Sequence, residues 1–273
     1  MQWSKVKSIL ILILLIVDAF LLVNLFGSYY TEYWRETEKN ENFSIVLSRK
    51  GIEADDNFRL PKTISLPMLE VDRNKSDEDA FTEGLLGEKM ERTETPDGGT
   101  IYDSPLGQIE WSVEGKIFGS FAFENYTKPA SDREMRVSTA KILEGCGISS
   151  SIQIETDSGR MQATAVFDTA GAPVFNRSLC FTFGEERISV NGWWTFQTPY
   201  MVRTNNYVLC ESTDAILTLL NEETSISRID AAENGYILLT GGGRQTSIVP
   251  CCRIVTDCGE FFVDSLKNTV IRM

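Results

Sequence analysis

Asp18 interrupts a run, residues 8–26, in which nearly every other residue is apolar, and Asn24 follows near its end. A carboxylate at the centre of a bilayer costs a few kcal/mol or more when it faces lipid. It becomes tolerable when protonated, or when hydrogen-bonded to a second helix, a bond worth ~1 kcal/mol. On a helix of ~3.6 residues per turn, Asp18 shares a face with Ile11, Leu14, Leu15, Leu21, Leu22 and Leu25. That face is the candidate partner-binding surface, a helix–helix contact within the membrane. Asn24 lies off it by roughly a third of a turn. The competing reading is a lone protonated acid with no role.

Other residue types narrow the chemistry. The chain contains 0 histidines. This excludes Ser-His-Asp and Cys-His catalysis and removes both the commonest metal ligand and the usual switch near neutral pH. Adjacent carboxylates occur at Asp55 with Asp56, Glu185 with Glu186, and Glu222 with Glu223. In so acidic a chain these read as solvated surface rather than a glycosidase pair. "GGGR" at residues 241–244 joins two strand-like segments and reads as a hairpin turn, whereas a phosphate loop leads into a helix. Trp193 and Trp194 offer sugar-stacking surface, although at the end of a strand one of the two belongs to the core. No catalytic, cofactor-binding or metal-binding residues are expected, so the chain reads as a non-enzyme without a cofactor.

The 6 cysteines are Cys146, Cys180, Cys210, Cys251, Cys252 and Cys258. An even count in an exported domain permits disulfides, while buried free thiols remain the alternative. No CxxC occurs, so zinc-ribbon and thioredoxin chemistry have no support. Cys251 and Cys252 are neighbours in a strand-like segment, so their side chains point to opposite faces.

The element that must hold Asp18 is a transmembrane helix over residues 8–27, about the ~20 residues a crossing needs. Lys5 and Lys7 precede it and no Lys or Arg follows until Arg35, which leaves residues 1–7 as a cytoplasmic tail and the rest extracytoplasmic. Trp3, Lys5 and Lys7 on one side, and Tyr29, Tyr30 and Trp34 on the other, are the expected membrane-interface anchors. A cleaved signal peptide is the rival, but its apolar region is shorter and ends in small residues. The formal charge of −13 leaves no basic patch for nucleic acid and reads as solubility. At 42% hydrophobic and 10% aromatic, the remainder has the composition of a globular, well-cored protein.

The remaining pattern is α+β. After the span, a helical segment continues outward and ends near Gly51. A proline-punctuated extended stretch, a helix opening at Ser76 and a glycine-punctuated meander complete an N-terminal α/β region, residues 28–129. Residues 130–200 form a helix capped by Ser131 with Glu134, stopped at Gly145 and Gly147, and followed by an antiparallel meander. Residues 201–273 repeat that order. Their helix opens with a Ser or Thr cap and carries an apolar stripe at Ile216, Leu219 and Leu220.

Both ends of the chain resemble one known family. "MQWSKVKSILILILLIVDAFLLVNLF" resembles the start of the YycI family, where a polar-Trp-Ser-Lys opening precedes a single membrane helix with an Asp or Asn in its second half. "SIVPCCRIVTDCGEFFVDSLKNTV" resembles that family's ending, a proline-led strand, a glycine turn and an aromatic strand closing a PepSY-like module. Pro250, Gly259, Phe261, Phe262 and Asp264 carry that match. Cys252 stands where an aromatic residue usually follows the proline, and residues 267–269 stand where a glycine usually lies. The resemblance implies a membrane-anchored accessory regulator, not an enzyme, of a WalK/YycG-type sensor histidine kinase in cell-wall control. It would act through transmembrane-helix contacts and an outer domain that binds a YycH-like sister protein. The alternative is a PepSY-like extracytoplasmic ligand-binding or peptidase-restraining module with no kinase.

Overall fold

A computed structural model describes residues 3–56, 58–122, 128–157, 160–201, 206–240 and 246–271. For residues 3–6, 8–10, 12, 24–36, 155–157, 160 and 240 it describes the backbone alone. The chain is a mixed α+β protein dominated by sheet.

Helix α1 runs unbroken over Trp3–Arg49, 47 residues, or ~70 Å at ~1.5 Å per residue. It stops where the sequence predicts. Gly51 takes a φ of 71°, Gly51 N donates to Ser48 O at 3.0 Å and Ile52 N to Leu47 O at 3.0 Å. This pair of bonds needs the left-handed conformation that glycine adopts without penalty.

The next elements in chain order are β1 (Glu53–Ala54), β2 (Ile64–Pro67), β3 (Leu69–Val71), α2 (Lys75–Leu86), β4 (Glu91–Glu94), β5 (Thr100–Ser104), β6 (Gly107–Trp111) and β7 (Lys116–Phe121). A middle set follows: α3 (Asp132–Gly145), β8 (Ser151–Asp157), β9 (Arg160–Thr169), β10 (Ala172–Phe183) and β11 (Ile188–Trp193). The last set is β12 (Tyr207–Cys210), α4 (Ser212–Glu222), β13 (Arg228–Thr240), β14 (Thr246–Thr256), β15 (Gly259–Asp264) and β16 (Thr269–Ile271). The middle and last sets share an order, a helix and then four strands paired antiparallel in sequence.

Among the described residues, 14 strands form one continuous sheet, and β2 pairs with β12 apart from it. The sheet has two wings. In the first, β8-β9-β10-β11-β7-β6-β5-β4 are antiparallel neighbours. In the second, β13 to β16 pair in order, with β1 along β13 and β3 along β14. The wings meet at one parallel pair, Val174 with Tyr236.

Each wing is covered by helices whose buried residues recur at helical spacing. Phe81, Leu85 and Leu86 of α2, with Met135, Ile142 and Leu143 of α3, pack on Ile109, Trp111, Leu179 and Phe181 of the first wing. Ile216, Leu219 and Leu220, the stripe predicted for α4, pack on Ile229, Ile254 and Val263 of the second. Phe43 and Leu47, near the end of α1, complete that second core. Residues 28–129 therefore divide their contacts. The end of α1, β1 and β3 join the second wing, whereas α2 and β4 to β7 join the first.

Local expectations fare unevenly. Ser131 Oγ accepts from Glu134 N at 3.3 Å, and Glu134 Oε2 accepts from Ala130 N at 2.8 Å. The α2 cap is Asn74 rather than Ser76, its Oδ1 accepting from Ser76 N at 3.1 Å. The α4 cap is Glu211, which makes no capping bond through its side chain; Ser212 Oγ instead donates to Asn234 Oδ1 at 3.1 Å. All 6 cysteines are free thiols, and Cys251 and Cys252 face opposite cores. The hairpin at residues 241–244 lies outside the described residues.

Candidate functional site: the cleft where the sheet forks

The site follows from an irregularity in β10. Its register against β9 shifts between Pro173 and Ser178. Pro173 pairs with Asp168 and Ser178 with Val166, so four residues, 174–177, stand opposite one, Phe167. Such a bulge bends a strand and re-aims its side chains. At the first residue of the bulge, Val174, β10 touches β13; after the bulge, β10 pairs with β11 from Leu179 onward. The wings diverge between those points.

Asn176 holds the fork open. Its Nδ2 donates to Leu238 O at 2.8 Å, and Leu238 N donates to its Oδ1 at 2.9 Å. The side-chain amide thus replaces a strand peptide in the ladder. On the other edge a Cβ at Gly192 would lie 2.0 Å from Ser178 O, so only glycine lets β11 come this close to β10.

The opening is a cleft of about 1070 Å³ lined by both wings, a size suited to a small organic molecule or chain end. Its charged lining is Asp72, Arg73, Glu78, Glu114 and Arg177. The two arginines are in opposite situations. Arg73 Nε lies 2.5 Å from Glu78 Oε1 and Nη2 lies 3.1 Å from Oε2, and the same guanidinium donates to the carbonyls of Val113 and Ser112. Glu78 is buried, so this pair is a neutralised strap across the cleft.

Arg177 makes no ion pair with any described carboxylate. Its Nη1 donates to Asn176 O at 2.7 Å, and its guanidinium lies 5.3 Å from the centre of the Trp193 ring. Burial pulls its pKa down to about 10, which still leaves it charged at neutral pH. An arginine stacked on an indole keeps in-plane N–H groups available for a flat, two-oxygen anion. Such an arrangement has the chemistry to take an anion beside an apolar surface.

The tryptophan pair divides as the sequence suggests. Trp194 is core, edge-on to Phe167 at 5.4 Å, while Trp193 is half-buried at the cleft. The asparagine and arginine were missed. Their signal is three successive polar residues, Asn176, Arg177 and Ser178, inside an otherwise apolar strand. Among the described residues no group of three or more His, Cys, Asp or Glu could hold a metal.

The residues predicted for the membrane face sit elsewhere, on α1. Asp18, Leu14, Leu15, Leu21 and Leu22 are all exposed. So is every other residue from 13 to 23, on all sides of the helix, the large hydrophobic ones from 49% at Val17 to 71% at Val23. Exposure therefore does not single out the Asp18 face. Among the described residues no helix is long and apolar enough to cross a membrane; the span predicted over residues 8–27 includes residues whose side chains are not described. Lys7 is exposed. The side chains of Trp3, Lys5, Leu25, Tyr29, Tyr30 and Trp34 lie outside the described ones.

No family model matches the chain, and no curated protein matches it. Among solved structures it is similar to an uncharacterized protein from Eubacterium rectale ATCC 33656, at 10% identity over 80% of this chain and 92% of that one, with a TM-score of 0.44. It is also similar to the YpeB C-terminal domain of Bacillus megaterium, at 10% identity over 74% of this chain and 97% of that one, with a TM-score of 0.38. Likeness this distant carries no conclusion about function, and the YycI resemblance gains no support from it.

Proposed function

We propose that the chain is a single-pass membrane protein, N-terminus cytoplasmic, whose outer wings form a non-enzymatic ligand-binding or peptidase-restraining module, the second wing PepSY-like. The cleft at the fork is its binding site. One observation carries the reading: a charged, half-buried arginine with no described carboxylate partner, stacked on an indole inside a cleft. A charge so placed loses solvation unless something else pairs with it. The anchor is supported by residues 13–23 of α1, apolar except for Asp18 and exposed on all sides of the helix.

The test is photo-crosslinking in native membranes, with benzoylphenylalanine in place of Val113 at the cleft mouth. The expected result is a discrete adduct in the membrane fraction that disappears with Arg177→Gln. An adduct-free protein contradicts the reading.

A second reading, the kinase regulator with a YycH-like partner, is favoured by the continuity of α1 from the apolar stretch into the second wing's core. Such a helix passes a displacement at one end to the other, and coupling would bias one of two kinase states. Its test is co-purification of a histidine kinase with the intact protein and with Asp18→Leu. Kinase recovered with the first and much less with the second supports it; no kinase with either removes it.

A further inference from the structure

We propose that the cleft recognises the free C-terminal carboxylate of a peptide ending in an apolar residue, with Arg177 as the carboxylate clamp. This rests on the cleft being the binding site and names what it takes.

The charge argument comes first. Of the five charged residues that line the cleft, Asp72, Glu78 and Glu114 are acidic and Arg73 and Arg177 are basic. The lining is thus net negative by one charge, and Arg73 is already tied to Glu78. One guanidinium remains, and one guanidinium matches one singly charged anion. A phosphate, with nearly two charges at neutral pH, meets more repulsion than attraction here. A chain of net charge −13 adds a long-range field of the same sign. A carboxylate carries a single charge and two coplanar oxygens, the shape a guanidinium fork engages in parallel.

Geometry supplies the second argument. Nη1 of Arg177 is committed to Asn176 O. Among the described residues nothing accepts from Nε or Nη2, which together form one side of the fork. Trp193, half-buried and 5.3 Å from the guanidinium, and Val113, 52% exposed, line the same cleft. An apolar side chain next to the carboxylate gains by covering these surfaces. Ser178, also on the lining, offers a hydroxyl group, while the Asn176 amide stays committed to Leu238. A peptide end combines these requirements: a terminal carboxylate, an adjacent side chain and a polar backbone.

The experiment uses the full chain in lipid nanodiscs. Two pools of N-acetylated tripeptides with apolar last residues are presented, one as free acids and one as C-terminal amides, and retained peptides are identified by mass spectrometry. The acids are expected to be retained and the amides lost. Titration of a retained acid is expected to weaken roughly 10- to 100-fold in Arg177→Gln, with Arg177→Lys recovering only part because an ammonium cannot form the fork. Glu114→Lys, a surface change that leaves the Arg177 contacts intact, is expected to tighten binding severalfold.

Equal retention of acids and amides overturns the proposal, as does undiminished binding in Arg177→Gln with unchanged binding in Glu114→Lys. If the crosslinker at Val113 captures a ligand and no free acid is retained, the carboxylate class falls while the binding site stands. If neither gives a signal, both fall.

Discussion

The two wings share an element order but are covered differently. The first wing is closed by α2 and α3, which adjoin its strands in sequence. The second is closed by α4 and also by Phe43 and Leu47, which arrive from the other end of the chain on α1. One wing is thus self-contained and the other is fastened to the long helix. The same element order is therefore covered in two different ways. The cleft lies where the fastened wing meets the free one, so an occupant touches both.

This comparison is broken or sharpened most strongly in the two cores. Leu219→Ala in the second wing and Leu143→Ala in the first each remove a buried side chain and are each expected to cost about 2–5 kcal/mol. The joint has its own core, with Val174, Tyr236, Leu238 and Ile248 buried together, and Tyr236 Oη donates to Pro67 O at 3.1 Å. The wings should therefore unfold as one unit, and denaturant curves followed by circular dichroism should show a single shifted transition for either change. Two transitions, only one of them moving, would mean that the wings are independent.

A smaller effect separates the two arginines. Glu78→Gln leaves Arg73 without its buried carboxylate. The expected loss is about 1–3 kcal/mol, toward the lower end because Arg73 is about a third exposed and solvent screens its charge. The same change frees a second guanidinium in the cleft. Peptide-acid affinity should therefore rise as stability falls, a trade that a purely structural Arg73 would not produce.

The smallest expected effect lies at the far end of the second wing. Asp257 accepts from Ser227 Oγ at 2.5 Å and from Arg228 N at 3.1 Å, and these bonds hold its pKa below the usual carboxylate value. A carboxylate depressed in the folded state stabilises above its unfolded pKa of ~3.9, and that contribution is lost as pH falls through the folded value. Asp257→Asn should therefore flatten the acid side of the stability profile below about pH 4 without altering the first wing, as thermal melts across acidic buffers will show.

Much of the local structure was legible because it depends on neighbouring residues. The stop at Gly51, the Ser131 cap and the stripe on α4 each follow from a few adjacent side chains. The turn between Thr169 and Ala172 is equally local, with Ala170 and Gly171 at φ of 48° and 79°, as a two-residue turn demands. The fork was not legible. Strand β10 already pairs with β9 from Ala172, and the bulge that follows is tied by Asn176 to Leu238, far along the chain. Nor does periodicity reveal that the end of α1 covers the last module, since that pairing joins residues on opposite ends of the sequence. The candidate site was half visible, through Trp193, and its arginine was hidden by the same bulge.

The most direct measurement is where the chain resides. Cell membranes are washed with alkaline carbonate, and intact cells are treated with protease before the wings are probed with antibody. The account expects the full chain in the washed pellet and both wings cleaved from outside. A chain released into the supernatant, or wings protected until the cells are opened, contradicts a helix that ties the second wing to the outer face of a membrane.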